Sequence, residues 1–357
     1  MQWILYILVP FLIATVMTPI VKWIAKDIKA YAAMNERTIH TKIIGRIGGV
    51  AIYVAFIISM ALFMEADVQL RGVLIGATIM FIGGLVDDLE NLSPKQKFAF
   101  QIVAAMILMF YGGVMLDKIF LPLGIRIDMG IISFIVTFFW ITGITNAINL
   151  IDGLDGLAGG ISVIIMIVVA SLSMIDGRVD ICKMALILAG SILGFLIYNS
   201  HPASIFMGDC GALFIGFMIS AISLMGFKSS TFITLGVPIL MCAVPIVDTL
   251  SAIIRRKISG KRFDEADKNH LHHVLMRRFG HRNTVLILYA VTASFGVAAY
   301  LYILNKALGL FVLFVMAIIV ELFLEKSHMI SNSYHPLCSL FGLLKHKKQN
   351  NKVDHDA

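Results

Sequence analysis

AGGISVIIMIVVASLSMI, residues 158–175, runs without one ionisable side chain. At about 1.5 Å of rise per residue a helix of this length covers roughly 27 Å, close to the ~30 Å hydrocarbon core of a bilayer. Backbone in lipid has to bond to itself, so such a run must be helical. It also lacks the strict alternation of a barrel strand. The runs at 48–64 and 284–304 read in the same way. With 3–25, 70–86, 97–114, 131–148, 181–199, 210–226, 231–254 and 306–325 they predict an all-α, polytopic membrane protein of about eleven transmembrane helices. Composition agrees. The chain of 357 residues is 59% hydrophobic and 14% charged, where a soluble domain carries roughly a quarter charged residues.

Charge is distributed by face. Of the 29 Lys and Arg residues, 22 fall in 22–47, 87–97, 255–283 and 326–357, which alternate onto one side of the predicted spans. Basic loops stay inside, which predicts a cytoplasmic C-terminus and an N-terminus outside. The first span has no basic residue before it and Lys22, Lys26 and Lys29 at its far end, opposite to a cleaved signal, so it reads as a retained helix. The net charge of +7 is then topological and gives no reason to expect nucleic acid. The four cysteines lie far apart without ligand spacing and read as buried thiols. Residues 1–325 read as one membrane domain and 326–357 as a basic cytoplasmic tail.

Acidic side chains near lipid are costly and so need partners or a task. Asp87 and Asp88 end the third span, and Asp152 and Asp155 lie in NAINLIDGLDGLAGG. Asp209 follows in FMGDCG and Asp248 in PIVDTL, all on the predicted cytoplasmic side. Adjacent carboxylates repel, and a divalent cation is one way to hold them; a plain helix stop is another. Asn146, Asn149, Asp152 and Asp155 recur every three residues, a spacing that lines up oxygens on one helical face. Oxygen ligands of this kind suit Mg²⁺. Phe206 could stack on a base or anchor at the interface, and the glycines beside Asp209 leave room for a metal or phosphate.

The loop 255–283 contains KNHLHHVLMRRFGHR, with His270, His272 and His273 among Arg and Lys. No Cys or acid completes a zinc set, so anion binding is the better reading. Lys42, Arg46, Lys95 and Lys97 could each neutralise phosphate or simply set topology. Taken together, the loops 26–47, 87–97, 149–157, 200–209 and 255–283 suggest a soluble nucleotide substrate meeting a lipid acceptor, since phosphoryl transfer needs mainly positioning and charge neutralisation.

NERTIHTKIIGRIGG, GLVDDLENLSPKQKFAFQ, TNAINLIDGLDGLAGG, FMGDCGALFIGF, PIVDTL and DKNHLHHVLMRRFGHR occur in this order. The set resembles the polyprenyl-phosphate N-acetylhexosamine-1-phosphate transferases (glycosyltransferase family 4) over roughly 1–325, and above all the bacterial undecaprenyl-phosphate GlcNAc-1-phosphate transferases. The resemblance implies transfer of GlcNAc-1-phosphate from UDP-GlcNAc to undecaprenyl phosphate, with release of UMP, at the start of a cell-envelope polymer such as teichoic acid. It implies Mg²⁺, with Mn²⁺ as a substitute, at Asn149 and Asp209 with Asp88 close by. It implies a catalytic set of Asp87, Asp88, His270, His272 and His273. Lys42, Asp152, Gly153, Asp155, Asn199 and Phe206 would hold the uridine end, and Lys97 with His270, His272 and His273 the diphosphate and sugar-phosphate side. The multi-pass protein would sit in the plasma membrane with its site facing the cytoplasm, and a homodimer is compatible with that arrangement.

Leu271 interrupts the histidine run, unlike the three consecutive histidines of the muramoyl-pentapeptide transferases, which favours a plain N-acetylhexosamine donor. Another UDP-N-acetylhexosamine or UDP-MurNAc-pentapeptide stays open as donor. So does direct attack by the lipid phosphate as against a phospho-aspartyl intermediate. The competing class is a secondary transporter, which predicts acids in mid-span and inverted repeats. The acids here stand at span ends, and no repeat is visible.

Overall fold

The computed structural model of the chain describes residues 2–28, 30–31, 44–120, 126–226, 246 and 271–326. Among them ten α-helices follow one another: α1 (Gln2–Asp27), α2 (Gly49–Phe63), α3 (Val68–Glu90), α4 (Pro94–Met106), α5 (Ile132–Ile151), α6 (Leu157–Ile175), α7 (Val179–Asn199), α8 (Gly208–Gly226), α9 (Leu271–Leu304) and α10 (Lys306–Lys326). A π turn, Ile107–Tyr111, prolongs α4. Among the described residues seven helices are long and apolar enough to cross a membrane, and the chain is a multi-pass membrane protein. The predicted span 231–254 lies, apart from Ile246, outside the described residues.

One element departs from the all-α expectation. Strands β1 (Lys118–Phe120) and β2 (Arg126–Asp128) pair antiparallel between α4 and α5. Each is three residues long, too short to show a period in the sequence.

Hydrophobicity alone does not say which helix is central. In α8, 89% of the apolar stretch is inside the protein, against 22% in α1. α8 packs on α3 and α5, while α1 packs on α7 and α2 at the periphery. The outer face of α1 exposes Ile4, Leu8, Leu12, Val16 and Trp23, as suits a lipid-facing helix. The core around α8 contains Phe56, Phe195, Phe214 and Phe217, all fully buried. α9 packs on α6 and α10, which brings a late segment of the chain beside the 152–156 loop.

Candidate active site at the charged end of the helix bundle

α3 has 23 residues, so it extends roughly 34 Å and brings Asp87 and Asp88 to its emerging end. Asn91 stops the helix in the left-handed region, at φ 54°, a conformation Asn tolerates better than most residues. Pro94 then opens α4, and the Ser93 N–H donates to Gln96 Oε1 at 2.9 Å, the reciprocal half of a capping box. This tight link folds Lys97 back over α3. Its Nζ lies 2.6 Å from Asp87 Oδ2 and 2.7 Å from Asp209 Oδ2. Asp87 Oδ1 accepts the Leu92 N–H at 2.8 Å.

Asp88 is used differently. Its Oδ1 accepts from the Asp209 N–H and from Arg46 Nε, both at 3.0 Å, and its Oδ2 accepts the Cys210 N–H at 2.9 Å. The first turn of a helix leaves such N–H groups unpaired at the positive end of its dipole. Asp88 therefore caps α8 from another helix, and so sets the position of Asp209. Gly208 makes the approach possible. It has φ 74°, and a Cβ there would collide with the Arg46 carbonyl oxygen and Asp88 Oδ2.

Asn149, in the last turn of α5, stands within reach of the Asp209 carboxylate. Asp152 follows the end of α5, and its carboxyl is pushed up to about 7 by burial and then by the charges of Asp209, Asp88 and Asp155. No hydrogen bond from a described residue offsets that repulsion. Asn149, Asp152 and Asp209 thus gather oxygen donors of which Asp152 has no cationic partner among the described residues, a set that fits a hard divalent cation such as Mg²⁺. Asp88 has its oxygens committed to N–H donors and stands behind that set. Asn146, expected on the same oxygen-lined face, instead exchanges two hydrogen bonds with Gln101 of α4, at 2.9 and 2.8 Å. Buried amides facing each other satisfy each other first.

The 152–156 loop is held by side chains from two distant segments. Gly156 has φ 77°; its N–H donates to Asn199 Oδ1 at 3.1 Å, and its carbonyl accepts from Tyr289 Oη at 2.5 Å. Asn199 Nδ2 donates onward to the Ile205 carbonyl at 3.0 Å. Asp155 is buried, and its Oδ2 lies 2.9 Å from His201 Nδ1 and accepts the Ala203 N–H at 3.1 Å. The Asp155 N–H donates to His281 Nε2 at 3.1 Å. Phe206 is half-buried, its N–H bonded to the Gly45 carbonyl and its carbonyl to the Gly48 N–H. Gly153 is exposed.

The structure therefore brings Asp87, Asp88, Lys97, Asn149, Asp152 and Asp209 together at one end, with Asp155, Asn199 and Phe206 beside them. Lys42 and His270 lie outside the described residues, as do the side chains of His272 and His273, whose backbone forms the first turn of α9. In the sequence Arg46 is one lone cation among several, and no local pattern marks His201, His281 or Tyr289. All three histidine and tyrosine contacts join segments 46 to 133 residues apart, which no local pattern signals.

An end of a helix bundle that gathers carboxylates, a bridging lysine and a tightly tied glycine loop is suited to holding the charged groups of a substrate beside a membrane. The pattern of glycosyl transferase family 4 matches residues 70–227. A probable undecaprenyl-phosphate N-acetylglucosaminyl 1-phosphate transferase of Bacillus subtilis (strain 168) is 38% identical, over 94% of this chain and 95% of its own length. A decaprenyl-phosphate N-acetylglucosaminephosphotransferase of Mycolicibacterium smegmatis is 34% identical over 82% and 81%. A phospho-N-acetylmuramoyl-pentapeptide-transferase of Streptococcus pneumoniae is 32% identical over 62% and 69%. The chain belongs to glycosyl transferase family 4. It is a phosphoglycosyltransferase.

Proposed function

We propose that the protein transfers GlcNAc-1-phosphate from UDP-GlcNAc to undecaprenyl phosphate, releasing UMP, at the cytoplasmic face of the plasma membrane. The relatives act on polyprenyl phosphates by name, and the convergence of Asp87, Lys97, Asn149, Asp152 and Asp209 at one end of the bundle carries the reading. The excess of Lys and Arg in the segments 22–47, 87–97, 255–283 and 326–357 of the sequence supports an inward-facing site and an N-terminus outside, and the apolar runs support about eleven spans. The product would feed a cell-envelope polysaccharide such as teichoic acid. UDP-GlcNAc is preferred over UDP-MurNAc-pentapeptide because Leu271 breaks the histidine run.

In this reaction an oxygen of the lipid phosphate attacks the donor's β-phosphorus, and the bond from that phosphorus to the bridging oxygen breaks as UMP leaves. The phosphate monoester is largely dianionic near neutral pH, its second pKa being about 6, so it needs little help from a base. Asp87 is held by Lys97 and the Leu92 N–H. A carboxylate so paired is a poor nucleophile, which supports direct displacement over a phospho-aspartyl route. Lys97, placed between two carboxylates, can turn its ammonium toward a phosphoryl oxygen. Asn149, Asp152 and Asp209 would hold Mg²⁺, which when bound neutralises phosphate charge.

The test is release of UMP by the purified protein supplied with UDP-GlcNAc, undecaprenyl phosphate and Mg²⁺. EDTA is expected to stop turnover and Mn²⁺ to restore part of it. Turnover that survives EDTA removes the metal from the proposal, and no nucleoside monophosphate from any UDP-sugar removes the function. Asp87→Asn at wild-type activity would exclude a catalytic task for Asp87.

A further inference from the structure

We propose that His201, His281 and Tyr289 form a positioning clamp on Asp155 and Gly156 that sets how tightly the enzyme holds the nucleoside end of its donor, without entering the transfer step. The proposal rests on the nucleotide-sugar reading above.

The clamp closes from two directions. From the 199–206 connection, Asn199 holds the Gly156 N–H while His201 and the Ala203 N–H hold Asp155 Oδ2. From α9, His281 accepts the Asp155 N–H and Tyr289 donates to the Gly156 carbonyl. The His201 and His281 rings stack at 4.1 Å between centroids and 22° between planes, so the two sides of the clamp also touch each other. Gly280 breaks α9 with φ 74° and ψ 172°, which places His281 at the start of a fresh helical stretch facing the loop. Gly160 completes the fit, because a Cβ there would collide with the Tyr289 hydroxyl and ring.

Asp155, His201 and His281 bring three potential ligand atoms within 4.8 Å of one another. Their geometry opposes a metal site. Imidazole donates in the plane of its ring, and nearly parallel stacked rings aim past each other. His201 Nδ1 and His281 Nε2 are moreover engaged with Asp155. The cluster orients backbone and carboxylate instead. Phosphates belong with Lys97 and the oxygen donors; the uncharged end of the donor belongs at this loop, where exposed Gly153 and half-buried Phe206 stand.

The experiment uses the full-length enzyme in detergent, with UMP release measured while UDP-GlcNAc and undecaprenyl phosphate are varied separately. His281→Leu, Tyr289→Phe and Gly160→Ala should each raise KM for UDP-GlcNAc by up to about tenfold, the scale of one lost buried hydrogen bond. The KM for undecaprenyl phosphate and kcat should stay within about threefold of wild type. His281→Gln, whose amide reaches the position of Nε2, should restore most of the affinity. A fall in kcat alone, equal shifts in both KM values, or no rescue by glutamine overturns the clamp. If His281→Leu does not fold, Tyr289→Phe, which removes only a hydroxyl, decides the outcome on the same criteria. Wild-type protein that releases no UMP from UDP-GlcNAc overturns the proposed function instead. The clamp is then judged by calorimetric binding of UMP and UDP: weakened binding in the variants supports it, while no wild-type binding, or variants that bind as wild type does, overturns it.

Discussion

The two ends of the helix bundle use charge in opposite ways. At one end Asp67 accepts the N–H of Leu70, three residues on, at 2.7 Å, and Arg71 Nε donates to the Ala66 carbonyl, five residues back, at 3.1 Å. These contacts fasten a helix start to itself, and where Arg178 reaches the Met225 carbonyl, 47 residues away at 2.9 Å, its partner is a neutral main-chain oxygen. At the other end Arg46, Lys97 and Asp88 bind partners 42 to 122 residues away, and Asp87 and Asp88 are buried. Burying a carboxylate costs energy that only good partners recover. Charge that merely marks topology has no reason to accept that cost, which makes the long-range, buried end the candidate site.

Substitutions can break this contrast. The largest effect is expected from Asp209→Asn, which removes the carboxylate bound by Lys97 and within reach of Asn149. UMP release should fall roughly 10³-fold, the several kcal/mol that charge stabilisation of a phosphoryl oxygen supplies. An effect below tenfold would make the cluster structural. Lys97→Met leaves Asp87 and Asp209 facing each other without a cation. Activity should fall on the order of 10²-fold and stability by about 2 kcal/mol, typical of lost charged hydrogen bonds, as read by thermal unfolding in detergent.

Gly208→Ala sharpens the contrast, because it alters no charge. The methyl meets Arg46 and Asp88 at a backbone conformation that favours glycine. Stability should fall by about 1–3 kcal/mol, with activity falling in step as Asp209 moves. Full activity would show that the capping of α8 is dispensable. The smallest effect belongs to the opposite end. Asp67→Ala should cost about 1 kcal/mol, the usual value of a helix cap, and leave UMP release unchanged; a tenfold loss there would erase the distinction between the ends.

Much of the bundle was legible because lipid imposes a length. The predicted spans 48–64, 158–175 and 306–325 fall within a residue or so of α2, α6 and α10, since a run of apolar side chains either reaches across hydrocarbon or does not. The 118–128 hairpin was not legible, its strands being shorter than any period. The site was legible as a set of motifs but not as an arrangement. DDLENLSPK announces a helix end, a turn and a helix start, yet nothing in it says that Lys97 will bridge Asp87 to Asp209. Asn146 has the spacing of Asn149 and Asp152, but it turns to Gln101 because α4 packs on that side of α5.

The sequence by itself determined that this is a helical membrane protein and which family it belongs to. Those properties follow from run length, loop composition and ordered motifs, all local to the chain. Only the tertiary structure decided that Asp88 caps α8, that Asn149, Asp152 and Asp209 converge, and that His281 and Tyr289 grip the 152–156 loop. Each joins helices far apart in sequence, and the choice among possible partners is made by close packing around α8, which permits one arrangement and excludes the rest.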